Sequence, residues 1–145
     1  MFKELDKISE VAGYLWEKGW AEYNGGNISV NVTASLSEEL RNAEPLSGRI
    51  ALPAQLKLLA GELFYVTGTG KRMRDVARDL WANGAVIRIC DDGRGYEIVY
   101  KENIPPTSEL ASHLFIHHYL REMGRDMKVV LHTHPTELIA LTHID

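Results

Sequence analysis

Two histidines that could share a metal ion lie near the C-terminal end of the sequence. His132 and His134 follow the run Val129–Leu131, whose apolar residues favour a β-strand. Because side chains alternate along a strand, both imidazoles point to one face, about 7 Å apart, and Thr133 points to the other. Imidazole nitrogens so placed are well suited to share a metal ion. Pro135 lacks the N–H that a strand ladder needs and should begin a helix. The pattern therefore predicts a metal site, over the alternative of two half-buried polar residues at a strand end.

A carboxylate that could do acid–base chemistry precedes these histidines. Glu109 follows Pro105–Ser108 and opens an apolar helical pattern that runs to about Met123, with Thr107 as the predicted N-cap and Gly124 as the stop. Two interpretations of Glu109 stay open. It could simply favour the first helical turn, where the helix dipole stabilises a carboxylate. It could instead act as an acid or base beside the metal, with a pKa raised by burial.

The same predicted helix carries three further histidines. His113 and His117 follow Glu109 at i+4 and i+8 and drift slowly around one face. They could support the site or be ordinary polar helix residues. The second interpretation is favoured for His117 and left open for His113, and His118 is expected to be exposed.

Two glycine-containing loops have the residue types that bind anions. Asn24–Asn27 reads Asn-Gly-Gly-Asn and precedes a strand, and Thr67–Lys71 reads Thr-Gly-Thr-Gly-Lys and follows one. Glycines allow backbone N–H groups to face a ligand, and hydroxyls and a lysine suit a phosphate. The second loop does not match the G-x-x-x-x-G-K-[ST] or G-x-G-x-x-G nucleotide motifs. Taken alone, each is also typical of a simple turn.

Composition limits the class of protein. A chain of 145 residues suits one domain, here taken as residues 1–145, and its net charge of -4 argues against a nucleic-acid partner. No apolar run is long enough to cross a membrane, and the charged start lacks a signal-peptide core. The single Cys90 excludes an internal disulfide and fits the cytoplasm. The apolar run Leu138–Leu141 lies so close to Asp145 that we expect the chain to be the N-terminal portion of a longer protein.

Periodicity predicts the elements that position these residues. Apolar residues recur at helical spacing in the first segment, and alternation with turn signals predicts the strands and one hairpin. The predicted elements are a helix over 5–19, strands over 28–32 and 63–66, a short helix over 53–59, a hairpin pairing 85–90 with 96–100, and a last helix after Pro135.

Four motifs, in this order, resemble the signatures of class II sugar-phosphate aldolases, the aldolase/adducin family. They are Asn24–Ser29, Thr67–Gly70, Thr107–Glu109 and His132–His134. The likeness covers essentially the whole chain. It implies an α/β fold with α/β/α layers and a mixed, largely antiparallel central sheet. It also implies a cytoplasmic homotetramer that acts on a sugar phosphate, with active sites at subunit borders.

The resemblance also implies roles for individual residues. It implies a zinc ion on three histidines, two of them His132 and His134, and a catalytic glutamate, Glu109. The third zinc histidine of the family lies far downstream and is not in this chain, and His143 is not expected to replace it. Phosphate and substrate binding are implied at Asn24, Gly26, Asn27, Thr69, Gly70 and Ser108.

Several functions remain compatible with the resemblance. A related sugar-phosphate aldolase or a pentulose-phosphate 4-epimerase would use the same carbon–carbon cleavage step. An adducin-like assembly module without catalysis, or an inactive fragment, would keep the fold alone. The presence of Glu109, His132 and His134 favours a metal-dependent carbon–carbon lyase, because an assembly module does not need that set.

Overall fold

The computed structural model describes residues 3–36 and 38–144, so Met1, Phe2, Ser37 and Asp145 lie outside the described residues. Helices and strands alternate along the chain except at one hairpin, where two strands follow each other directly. The helices are α1 (Lys3–Glu17), α2 (Glu38–Arg41), α3 (Met73–Arg78), α4 (Leu110–Glu122) and α5 (Thr136–Leu141), with a 3₁₀ turn at Lys57–Leu59. The strands are β1 (Asn27–Asn31), β2 (Ile50–Ala51), β3 (Leu63–Thr67), β4 (Gly84–Ile89), β5 (Gly95–Tyr100) and β6 (Val129–His132).

One six-stranded sheet organises the described residues, in the order β2-β5-β4-β3-β1-β6. Every described strand pair is antiparallel, which confirms the largely antiparallel sheet. β1 lies between β3 and β6 and runs opposite to both. The start of β1 therefore lies beside the ends of β3 and β6, and the loops at these three points meet at one end of the sheet.

Helices cover both faces of the sheet, as the layered fold requires. Side chains alternate along β3, so Leu63 and Tyr65 pack with α1 and α3, whereas Phe64 and Val66 pack with α4. Leu110 and Leu114 are the main α4 contribution to the second core. The face that α4 covers is also the face on which Asn27 and its cross-strand partner His132 lie.

The glycine signals correctly predicted the C-terminal ends of two helices, but the predicted start of α4 was wrong. α1 and α4 end in the hydrogen-bond pattern of a Schellman motif, with Gly19 and Gly124 at positive φ. The predicted N-cap Thr107 was wrong, because α4 begins at Leu110 with Glu109 at the N-cap position. The predicted 53–59 helix is reduced to one 3₁₀ turn. The short elements α2, β2 and α3 lacked a periodic signal and were not predicted.

Candidate active site

One cavity of about 250 Å³ lies where the loops before β1, after β3 and after β6 meet. The N-terminal end of α4 closes one side, because Thr107 N donates to Thr67 O and Thr69 N donates to Pro105 O. All nine residues assigned to a site from the sequence line this cavity: Asn24, Gly26, Asn27, Thr69, Gly70, Ser108, Glu109, His132 and His134.

The two histidines of the His-x-His motif face the same space. Their ring centroids are 4.8 Å apart, and the rings are inclined by 64°. Glu109 lies beside them, with Oε2 accepting a hydrogen bond from His132 Nδ1 at 2.5 Å. The side chains of His132 and Glu109 are 38% and 44% exposed, so a ligand can reach both. A carboxylate and two imidazoles thus lie together, as the sequence predicts.

Glycines of the first loop make room for these rings. A Cβ on Gly25 would lie 2.9 Å from His134 Nδ1 and 2.9 Å from Glu22 O. Gly26 has a φ of +80°, and a Cβ there would lie 3.0 Å from His132 O. The backbone of His134 is fixed by donation of its N–H to Trp20 O at 2.7 Å. The Gly-Gly pair therefore shapes the histidine site directly.

The pKa of Glu109 departs from the sequence expectation. Burial was expected to raise this pKa, but the expectation was wrong, because the pKa is lowered. The largest cause is the hydrogen bond that Asn27 Nδ2 donates to Oε2 at 3.1 Å, and the bond from His132 acts in the same direction. Burial works against both and is outweighed. Glu109 is accordingly a carboxylate at neutral pH, a form that can accept a proton.

The second glycine loop contributes side chains more than backbone groups. The N–H groups of Gly68, Thr69 and Lys71 donate to backbone carbonyls, so these three groups are already occupied. The hydroxyl of Thr67 is buried and accepts a bond from Ile28 N at 3.1 Å, which makes it structural. The side chains of Thr69, Lys71 and Ser108 remain at the cavity.

A buried polar group next to the site was missed by the sequence analysis. His117 was interpreted as an ordinary helix residue, but it is buried and lies 2.9 Å from Ser29 Oγ. The same hydroxyl lies 2.8 Å from His113 Nδ1. His113 Nε2 in turn contacts Asn27 Oδ1, so both ends of the Asn27 amide are engaged. The signal was present as polar residues two apart on a strand facing histidines four apart on a helix. His118, expected to be exposed, is only 18% exposed and lies 3.7 Å from Glu122.

The donor set fits a zinc ion in part. His132 and His134 are the nitrogen ligands that zinc prefers, and catalytic zinc sites use three protein ligands and an open position. A hydrogen bond from the Nδ1–H of His132 to Glu109 leaves Nε2 of that ring with the lone pair that binds a metal. Within the described residues, no group of three or more His, Cys, Asp or Glu side chains is arranged around a common point. The chain thus offers two histidines and a carboxylate, short of a full ligand set.

Two other depressions in the surface have different chemistry. A polar one of about 750 Å³ lies at the far edge of the sheet, where Arg49 pairs with Asp92 and Arg88 pairs with Glu97. An apolar groove of about 390 Å³ runs between α1 and β6. In the described part of the chain, no helix has the length and apolar character needed to cross a membrane.

Comparisons with known proteins agree with this geometry. The sequence profile of the class II aldolase and adducin N-terminal domain matches residues 6–145. A rhamnulose-1-phosphate aldolase of Bacteroides thetaiotaomicron is 52% identical over 143 residues, which cover 99% of this chain and 53% of that protein. A rhamnulose-1-phosphate aldolase of Listeria welshimeri is 34% identical, over 97% of this chain and 51% of that protein.

A solved structure has the same fold. The crystal structure of a sugar-phosphate aldolase from Thermotoga maritima superposes with a TM-score of 0.79 and 33% sequence identity, covering 99% of this chain and 58% of that one. The chain spans about half the length of the curated relatives it matches. With the family profile matching nearly every residue and the same fold in a solved aldolase, the chain belongs to the class II aldolase and adducin family.

Proposed function

We propose that the protein is a zinc-dependent aldolase that cleaves L-rhamnulose 1-phosphate to dihydroxyacetone phosphate and L-lactaldehyde. The observation that carries the proposal is the single cavity in which Glu109, His132 and His134 meet the polar side chains of both glycine loops. The substrate is proposed from the relatives, which are named rhamnulose-1-phosphate aldolase. Such an enzyme would serve rhamnose degradation in the cytoplasm.

His132 and His134 would hold the zinc ion, with a third histidine from outside this chain. When bound, zinc supplies a Lewis acid that polarises the ketone of the substrate and stabilises negative charge on its oxygen. The two imidazoles in one cavity support this assignment. Gly25 supports it as well, because only a residue without a side chain leaves the space that the His134 ring occupies.

Glu109 would be the group that moves the proton. Its lowered pKa keeps it ionised, so it can accept the proton of the hydroxyl whose oxygen becomes the aldehyde. The carbon–carbon bond then breaks, and its electron pair stays with the carbon next to the ketone. Return of the proton to that carbon completes the ketone product and restores the Glu109 carboxylate. Only a proton is moved, so the reaction needs no oxidant or reductant.

The glycine loops would hold the phosphate and fix its distance from the histidines. Lys71 brings a positive charge to the cavity, and Thr69, Ser108 and Asn24 bring hydrogen-bonding groups. Gly26, Asn27 and Gly70 belong to the same proposed binding set. The side chain of Asn27 is engaged by His113 and Glu109, so its contribution would be to hold Glu109 beside the substrate.

A homotetramer with active sites at subunit borders is part of the proposal. Val129 and Leu131 of β6 and the last helix α5 expose apolar side chains, which supports association with further polypeptide. Light scattering on the protein would give the mass of the assembly. A monomer at working concentration would remove this part of the proposal and leave the chemistry of the cavity untouched.

The catalytic role is tested on the full-length protein by an assay coupled to dihydroxyacetone phosphate. Glu109→Gln should lower kcat by about a hundredfold or more, because the amide cannot accept the proton. Glu122→Gln is the matched control, since that carboxylate lies at the opposite end of α4. A near-normal rate for Glu109→Gln would remove the role. Product analysis with several sugar phosphates separates this aldolase from a related one and from a pentulose-phosphate 4-epimerase.

The metal role is tested by elemental analysis of the purified full-length protein. His132→Ala should lose stoichiometric zinc, because one of the proposed ligands is gone. His143→Ala is the matched control, since His143 lies beyond the cavity in the exposed segment after α5. Retention of zinc by His132→Ala would point to other ligands.

A further inference from the structure

A chain of buried hydrogen bonds leads from the middle of α4 to Glu109. His117 Nε2 lies 2.9 Å from Ser29 Oγ, and that oxygen lies 2.8 Å from His113 Nδ1. His113 Nε2 contacts Asn27 Oδ1, and Asn27 Nδ2 lies 3.1 Å from Glu109 Oε2. Every member before Glu109 is at most 8% exposed. The proposed chemistry makes no use of the two histidines or of the serine.

The direction of each hydrogen bond follows from the last acceptor. An ionised carboxylate only accepts hydrogen bonds, so the NH₂ group of Asn27 must face Glu109. The amide oxygen of Asn27 then faces His113, and it can only accept. His113 must therefore carry its proton on Nε2. The orientation of the Asn27 amide thus determines the tautomer of the His113 ring, and the reverse also holds.

The same argument extends to the far end of the chain. Burial lowers the pKa of His113, so the ring is neutral and its Nδ1 is an acceptor. The Ser29 hydroxyl must donate to that nitrogen. The lone pairs of the Ser29 oxygen can then accept a hydrogen bond from the Nε2–H of His117. Each group thus donates to the next one, and the series ends on the carboxylate.

We propose that His113 is a positioning residue that holds the Asn27 amide with its NH₂ group toward Glu109. Without the bond from His113, the amide could rotate by half a turn and bring its oxygen against the carboxylate, which would replace attraction by repulsion. The hydroxyl of Ser29, which donates to Nδ1 of His113 and accepts from His117, is compatible with this tautomer. As a statement about catalysis, this inference rests on the proposed role of Glu109.

Two substitutions of similar polarity test the role of Nε2. His113→Gln can place an amide N–H where Nε2 lies, whereas His113→Asn reaches only as far as Nδ1. His113→Asn should lower kcat by about tenfold to a hundredfold with little change in KM, the range typical of residues that orient a catalytic group. His113→Gln should keep most of the activity. Equal losses in the two variants, or no loss in either, would overturn the proposal.

A double-mutant cycle tests whether His113 acts through Asn27. In the Asn27→Ala background there is no amide to orient, so His113→Asn should cost little further activity. If the second substitution lowers kcat as much as it does in the parent protein, His113 acts by another route and the proposal is wrong.

The tautomer can be measured without any turnover. Long-range proton–nitrogen NMR of the protein with ¹⁵N-labelled histidine should show His113 neutral with its proton on Nε2 at pH 7. A protonated Nδ1 would overturn the proposal even in an active enzyme. If Glu109→Gln instead keeps a near-normal rate, the proposed aldolase role fails, while the NMR result still decides whether His113 orients Asn27.

Discussion

Protonation of buried His117 should make the stability of the protein depend on pH. The ring is 4% exposed and packs 4.9 Å from the Phe64 ring, and burial lowers its pKa from 6.5 to about 4. The unfolded chain therefore binds a proton between pH 6.5 and 4 that the folded chain does not. Stability is full above pH 6.5 and is lost as the pH falls toward 4. At about 1.4 kcal/mol per pKa unit, the loss attributable to His117 is about 3 kcal/mol.

Urea denaturation at pH 8 and at intervals down to pH 4 measures this loss. His117→Gln cannot titrate, but its amide N–H can still donate to Ser29, so the variant should lose about 3 kcal/mol less than the parent over that range. At pH 8 the ring of His117 is neutral in both the folded and the unfolded parent protein. The difference in stability between parent and variant at that pH therefore gives the cost of the substitution itself. The lowered pKa of His113 acts in the same direction and should leave a residual slope in the variant. Identical slopes in the two proteins would refute the assignment of the titration to His117.

The cavity itself offers two further predictions. Gly25→Ala places a Cβ against His134 Nδ1 and should reduce zinc affinity by about tenfold or more, as measured by competition with a chelator; unchanged affinity would show that the ring is not confined there. Lys71→Met removes the cation of the second glycine loop and should raise KM for the phosphorylated substrate by about tenfold with a smaller change in kcat, in line with the loss of one charge-assisted hydrogen bond. An unchanged KM in steady-state kinetics would place the phosphate elsewhere.

The sequence predicts the residues of the cavity better than it predicts how they are held. The His-x-His pair and the two glycine loops occur at strand ends, and antiparallel pairing of β1 with β3 and β6 brings such ends together. Both imidazoles line the cavity, although β6 ends at His132 and His134 lies in the loop that follows it. Local patterns were enough to find these residues, because the strand ends that carry them are neighbours in the sheet.

Interactions between distant segments could not be predicted in this way. The alternation of Ile28 and Val30 with polar residues was compatible with a solvent-facing side, but α4 buries that side and pairs Ser29 with two histidines more than 80 positions away. The pKa of Glu109 was misjudged for the same reason. Its main determinant is Asn27, 82 residues earlier in the chain, and a burial argument made on the helix alone omits it.

The buried polar residues Asn27 and Ser29 also mark the limit of the apolar core between α4 and the sheet. Between α4 and the sheet, β3 and β4 present apolar side chains such as Phe64 and Ile87, whereas β1 presents Asn27 and Ser29. Apolar residues at those two positions would bury more apolar area without the cost of desolvating polar groups. The cost is tolerable because every buried side-chain nitrogen or oxygen among the described residues has a partner. Stability alone does not call for polar residues at this place. Holding the Glu109 carboxylate in one orientation at the edge of the cavity does require a polar residue, because a hydrogen-bonded amide can orient a carboxylate and an apolar side chain cannot.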